Sequence, residues 1–191
     1  SFQMHRTVSG RLAGDLQQLP RPIGDGSLVA RYTDAIRRII IAAPGSLLCS
    51  ADYEQLEPTI FAHTSGDEAL QHIFNTGLDF YSEVAIRTEG LPAVSSDKSA
   101  PNYLGKLDKK KRQQAKAYAL GIAYGMTGYK LQFELGVPQD EADRLVADYL
   151  RAFPNLSSWI NSSHDFVKYK GYVKTQSGRV RHMPRACTLF R

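Results

Sequence analysis

Glycine and proline cut the chain into short segments, and most of these carry apolar residues at helical spacing. "EPTIFAHTSGDEALQHIFNTG" reads as helix with a break at Ser65-Gly66 and a stop at Gly77, and "LDFYSEVAIRTEG" as another short helix. "KKKRQQAKAYALGIAYGM", Lys109 to Met126, predicts a long helix, and "TGYKLQFELG" a short one ended by Gly136. "PQDEADRLVADYLRAFP" opens on Pro and acidic residues and stops before Pro154; "NLSSWINSSHDFVKYKG" comes next, capped by Asn155 and closed by Gly171. "TDAIRRIII" fits a short helix or a strand. "PGSLLCSADY" reads as a turn and then a buried strand ending at Asp52, and "YVKTQSGRVRHMP" as a β-hairpin about a Ser-Gly turn. "GRLAGDLQQLPRPIGDG" and residues 92–107 show no period and are expected to be loop. The pattern predicts a mostly helical α+β chain.

Composition narrows this little. A chain of 191 residues that is 42% hydrophobic and 23% charged is neither disordered nor membranous in type, and fits one domain or a piece of a larger one. No apolar run approaches the roughly 20 residues that span a bilayer, the first ten residues carry no apolar signal-peptide core, and Met is not first, which suggests a chain cut from something longer. Cys49 and Cys187 fit no metal spacing and are expected to be structural, in a reducing cytoplasm. The net charge of +5 points to an anionic partner such as a nucleic acid or nucleotide, or to nothing more than a soluble basic protein.

The basic helix is more informative. Arg112, Lys116, Leu120 and Tyr124 are four apart and share one face, which runs from cation to cation to apolar to aromatic. A nucleoside triphosphate has the same polarity: phosphates, sugar, base. Arg grips phosphate with two parallel hydrogen bonds, Lys adds a point charge, Leu120 can pack on a sugar and Tyr124 can lie by a base. The plain alternative is a solvated basic turn followed by a core helix.

"RQQAKAYALGIAYGM" resembles motif B of the family A DNA polymerases, the bacterial DNA polymerase I family, with Arg112, Lys116, Gly121, Tyr124 and Gly125 in register. Three further segments resemble the same family in the expected order. "SADYEQLEPTIFAHTSGDEAL" is similar to motif A; it implies Asp52 and the backbone carbonyl of Tyr53 as Mg²⁺ ligands, Gln55 at the nucleotide, and Glu57 as the steric gate that rejects ribonucleotides. "TVSGRLAGDLQQLP" implies Arg11 at the primer end or nascent pair, and Gln17 and Gln18 on the DNA backbone, with a shorter loop than usual and Gln18 in place of Asn. "GYVKTQSGRVRHMPR" implies Arg179 and Arg181 as DNA contacts. Leu120 stands where the family usually has Phe or Tyr, a pattern of some phage members, and implies poor use of dideoxynucleotides. Tyr81 stands where His is frequent beside the β-phosphate.

The resemblance implies a partial palm with the motif A strand over residues 1–60 and a fingers subdomain over 61–191, with an O-helix-like segment at 108–125 and a hairpin at 171–184. It implies template-directed phosphoryl transfer to a primer 3′-hydroxyl: Asp52 on two Mg²⁺ ions, Arg112 and Lys116 on the triphosphate, and Tyr124 and Gly125 beside the templating base. No His-Asp-Glu turn of motif C is found, so the second carboxylate is expected outside this chain, and the isolated chain is expected to be inactive. The expected partners are dNTP and primer-template DNA and no membrane; if the polymerase is split, a second chain carrying motif C and the thumb is expected as well. The place is the cytoplasm, that of the host if the source is a phage. The rival readings are a non-catalytic DNA-binding module and a single-subunit phage RNA polymerase; Glu57 argues against the latter.

Overall fold

The computed structural model describes residues 7, 11, 14, 19 and the continuous span 27–187. Gln17 and Gln18 lie outside the described residues. The chain divides into two compact units, residues 1–52 and 53–191.

The described part of the first unit holds one helix, α1 (Leu28–Arg38), opened by the Ser27 hydroxyl, which accepts from the Ala30 N–H at 3.1 Å. This resolves the helix-or-strand reading of "TDAIRRIII" in favour of helix, which ends before the three isoleucines. Residues 46–52 form no strand: Leu47 and Leu48 are 96% and 63% exposed. A strand needs a neighbour for its N–H and C=O groups and a layer to cover its apolar face, and the described residues of this unit supply neither. Cys49, expected to be structural, is exposed with a free thiol.

The second unit is a helical cluster. In chain order it comprises α2 (Leu56–Ser65), α3 (Glu68–Asn75), α4 (Phe80–Glu89), α5 (Leu104–Leu107), α6 (Lys109–Ala123), α7 (Gly128–Leu135), α8 (Gln139–Ala152) and α9 (Pro154–Lys170), and then an antiparallel ribbon of β1 (Tyr172–Lys174) and β2 (Val180–His182). The helix breaks expected at Ser65-Gly66 and the stops at Gly136 and Gly171 are found. Gly66 takes a left-handed conformation (φ 65°) that side-chain-bearing residues rarely adopt, which lets the chain turn from α2 into α3.

Three of these helices start on aspartate. Asp67, Asp79 and Asp108 each accept backbone N–H groups of the first turn, of α3, α4 and α6 in that order. Asp67 does more. Its Oδ1 accepts from Ala69 and Leu70, both at 3.1 Å, and its Oδ2 accepts from Asn155 at 3.0 Å and Leu156 at 3.2 Å. The cap of α9 is therefore this distant carboxylate; Asn155, expected to cap it, lies inside the first turn, and its side chain donates instead to the Gly66 carbonyl.

Small residues bring the central helices close. Ala85 of α4, Ala115 and Ala119 of α6 and Ala142 of α8 are almost wholly buried, and Tyr118, Tyr149 and Phe153 fill the space between helices. At Gly128 of α7 the approach is tightest: an added Cβ would lie 1.9 Å from Asp143 Oδ1 and 3.0 Å from Asp143 Cα, on α8.

Residues 92–107, expected to be loop, are partly ordered. Ser95 and Tyr103 form a parallel bridge, Leu104 N–H donates to the Ser95 carbonyl at 2.9 Å, and the one-turn α5 buries Leu104. One buried residue in a four-residue turn leaves no period to detect. Among the described residues no helix is long and apolar enough to cross a membrane.

Candidate nucleotide site

The face expected to hold a triphosphate is the half-buried flank of α6. On the adjoining flank Ala115, Tyr118, Ala119 and Ile122 are buried against the cluster. This amphipathic split fixes the rotation of the helix, so that Arg112, Lys116 and Leu120 all stand at the margin between core and solvent. Tyr124 is the residue just past the last turn and is 61% exposed.

Arg112 is anchored. Its Nε donates to Asp79 Oδ2 at 2.8 Å and an Nη to Asp79 Oδ1 at 2.6 Å, a two-pronged pair whose carboxylate is fully buried while the guanidinium side chain is 28% exposed. Asp79 Oδ2 also accepts from the Ser82 N–H (3.0 Å) and hydroxyl (2.6 Å). Burial opposes ionisation of Asp79, but the hydrogen bonds from Arg112 and Ser82 outweigh it and hold the carboxyl below its ordinary range. The same hydrogen bonds from Arg112 to Asp79 hold the guanidinium above its ordinary value, against burial. Asp79 takes two of five guanidinium N–H groups, so the fork is positioned rather than consumed.

Tyr81 forms the floor. Its ring lies 5.5 Å from Arg112 Cζ and 5.6 Å from Lys116 Nζ, within cation–π reach of both. Burial raises the Tyr81 hydroxyl above its ordinary pKa, so it stays a proton donor. The Glu57 carboxylate adds to that rise and Arg112 offsets it, which places Glu57 in the same electrostatic neighbourhood. Lys116 has no carboxylate partner among the described residues.

Gln55 holds the corner. Its φ of 52° makes it the one non-glycine residue with positive φ among those described, and in that conformation its Oε1 accepts the Phe80 N–H at 3.2 Å. The start of α2 is thereby tied to the start of α4, next to Asp79 and Tyr81. The floor is braced behind by residues 92–103: the Ser96 carbonyl accepts from Asp79 N–H at 2.9 Å, and the Ser96 hydroxyl donates to Glu83 Oε2 at 2.5 Å. At the far end of the face Tyr124 meets Phe61 edge-on at 5.8 Å, and Phe61 packs on Trp159 of α9 at 6.2 Å.

Of the expected site residues, Gln55, Glu57, Tyr81, Arg112, Lys116, Leu120 and Tyr124 thus belong to one face of the second unit. Gly125 sits in the turn after α6 with φ 84°. Tyr53 is exposed at the head of the same unit. Arg11 and Asp52 are exposed residues of the first unit. Arg179 and Arg181 are exposed on the β-ribbon beyond α9. Asp79 was missed by sequence reasoning, although Asp-Phe-Tyr-Ser ahead of an apolar helix is an N-cap signature.

A family model for DNA polymerase family A matches residues 1–188. The chain belongs to DNA polymerase family A. The thermostable DNA polymerase I of Thermus filiformis is 34% identical over 189 residues, and that of Thermus aquaticus 34% over 188; each comparison covers 96% of this chain and 20% of the relative. Among solved structures, the POL domain of Pol1 from M. smegmatis, in complex with DNA primer-template and dNTP, matches with a TM-score of 0.76 at 29% identity, over 96% of this chain and 30% of that one. The chain thus spans about a fifth of the length of these curated relatives.

Proposed function

We propose that this chain is the dNTP-gripping part of a DNA-directed DNA polymerase: a portion of the palm over residues 1–60 and the fingers over 61–191. The observation that carries the reading is the Asp79–Arg112 fork beneath Lys116 on the half-buried face of α6. A buried carboxylate that orients a guanidinium without enclosing it leaves a preset cationic face, which suits a triphosphate more than a core contact. Lys116 and the remaining N–H groups of Arg112 bind the phosphates, and Lys116 is placed to give a proton to the leaving pyrophosphate. Tyr81 lends its hydroxyl to the phosphate end. Leu120 lies against the sugar, Glu57 occupies the space beside its 2′ position, and Tyr124 with Gly125 borders the templating base. Arg11, Arg179 and Arg181 bear on primer-template DNA.

The metal belongs to Asp52. Its exposed carboxylate and the following Tyr53 carbonyl are hard oxygens of the kind Mg²⁺ takes. Among the described residues no group of three or more His, Cys, Asp or Glu side chains surrounds a common point, so these two oxygens are a partial ligand set. Asp52 and the Tyr53 carbonyl would hold a divalent ion, which would supply charge stabilisation to phosphoryl oxygens. Primer extension by this chain alone is accordingly expected to be nil.

Trp159, the single tryptophan, reports on the base end of the face through Phe61 and Tyr124. Titration with dNTP is expected to change its fluorescence saturably, and Lys116→Ala to weaken binding at least about tenfold with the thermal midpoint unchanged. Equal affinity in Lys116→Ala removes the assignment.

A further inference from the structure

Acidic residues favour the first turn of a helix, and cations there oppose its partial positive charge. α6 reverses the rule: Lys109, Lys110 and Lys111 open it, and no acidic residue stands in its first turn. Lys111 is compensated, because its Nζ pairs with Glu89 at the end of α4. Lys109 and Lys110 are exposed, and no carboxylate among the described residues pairs with either. Asp108, next to them in sequence, is engaged by the Lys111 N–H. The fold gains nothing from these two charges where they stand.

They border a groove of about 670 Å³ between α6 and the end of α7. Lys110, Gln113, Gln114 and Ala117 line one wall at helical spacing, as a stripe beside the face of Arg112, Lys116 and Leu120 rather than on it. Glu134 and Leu135 of α7 form the other wall. Ala117 and Leu135 are half-buried and give the groove its apolar surface. Gln113 and Gln114 carry side-chain amides with no hydrogen-bond partner among the described residues.

We propose that this groove docks an acidic amphipathic helix of a partner protein. The apolar edge of that helix lies on Ala117 and Leu135, its carboxylates lie on Lys109 and Lys110, and the two glutamine amides meet its polar groups. Glu134 on the α7 wall confines the acidic edge to the α6 side and so sets the orientation. A nucleic-acid strand fits less well: no aromatic ring lines the groove for a base to stack on, and Glu134 repels phosphate. No residue of the groove belongs to the proposed nucleotide face, so the two can fail separately.

The test is fluorescence anisotropy of a labelled peptide of Glu, Ala and Leu, with its leucines at helical spacing, titrated with the whole chain. Saturable binding is expected. Lys110→Glu should weaken it at least about tenfold by setting like charges opposite one another, and Ala117→Glu by a similar factor by placing a charge beneath the apolar edge. Lys110→Glu is also expected to raise the thermal midpoint, because an acid then replaces a cation in the first turn of α6; its loss of binding is then not a loss of fold. Lys110→Glu should leave dNTP binding intact, and Lys116→Ala should weaken dNTP binding and leave peptide binding intact. No saturable binding, unchanged affinity in either groove variant, equal binding of a scrambled peptide of the same composition, or a lowered midpoint in Lys110→Glu each overturns the proposal. Oligo(dT) binding that is lost in Lys110→Glu would give the groove to nucleic acid, and self-association in sedimentation that is lost in Lys110→Glu would give it to a second copy of the chain; either result overturns it as well.

Discussion

Arg112 and Asp79, 33 residues apart, meet in two parallel hydrogen bonds of 2.8 and 2.6 Å. The carboxylate is buried and caps α4; the guanidinium reaches toward solvent from the first turn of α6. One pair thus joins two helices of the core and aims one residue of the proposed nucleotide face. Removing the carboxylate leaves a half-buried cation unpaired and a helix uncapped. Asp79→Ala is expected to cost about 3 kcal/mol in urea unfolding, and Asp79→Asn less, because the amide oxygen still accepts from Ser82.

The pair also sets an acid limit. The carboxyl is held below its ordinary 3.8 in the folded chain, so on acidification the unfolded state takes up the proton first. The stabilisation is complete above about pH 5 and is lost as pH falls through 3.8 toward the lower folded value. Thermal midpoints of the parent should fall over that interval, while those of Asp79→Asn should be flatter there.

Arg112 and Lys116 share a face but differ in attachment, so their variants should separate. Lys116→Ala is expected to change dNTP affinity and leave stability within about 0.5 kcal/mol. Arg112→Ala should change both, because it strands Asp79 in the core. Arg112→Lys keeps a charge but loses the fork, and should recover little of either. Trp159 fluorescence and urea unfolding on the same samples give the two readouts.

Two helix glycines offer an internal control on packing. A Cβ on Gly121 would lie 2.8 Å from the end of the Met126 side chain, which can swing away; one on Gly128 would meet the Asp143 side chain at 1.9 Å and its backbone at 3.0 Å. Gly121→Ala is expected to cost less than about 1 kcal/mol, and Gly128→Ala about 2–3 kcal/mol by prising α7 from α8. Adding Asp143→Ala to Gly128→Ala should recover only part of the loss, since the clash with the backbone of α8 remains.

Asp67 is the remaining sensitive carboxylate. It caps two helices at once, and a single cap contributes about 1 kcal/mol, so Asp67→Ala is expected to cost about 2 kcal/mol or more. Asp67→Asn keeps one acceptor oxygen and should lose about half. Chemical denaturation of the three proteins side by side checks the order.

Apart from the one-turn α5, the helices from Leu56 onward were legible because they carry apolar residues at helical spacing, with glycine closing α2, α4, α7 and α9 and proline following α8, and the hairpin because Ser-Gly interrupts an alternating run. The face of α6 was legible for the same reason: four residues at a spacing of four need only one helix to be brought into line. What failed was whatever depends on a partner remote in sequence. The run before Asp52 has the composition of a strand, but a strand exists only beside another. The cap of α9 was assigned to Asn155 because a local reading sees only neighbours, whereas the true acceptor lies on the far side of Gly66. Asp79 was readable as a cap from its own window, but its pairing with Arg112, 33 residues on, was not, because no local window contains both.

The bond between Asp67 and the start of α9 has a bearing on how the chain is made. Asp67 can bond Ala69 and Leu70 as soon as α3 has formed, but its second oxygen has to await Asn155, 88 residues later. At a ribosomal pace of roughly 5–20 residues per second, that oxygen spends several seconds without its native donors. Until then α3 can fold and refold locally, and the helices between have nothing at their far border to close against. The nascent chain should therefore gain protease resistance in one late step, as Leu156 clears the exit tunnel, rather than helix by helix.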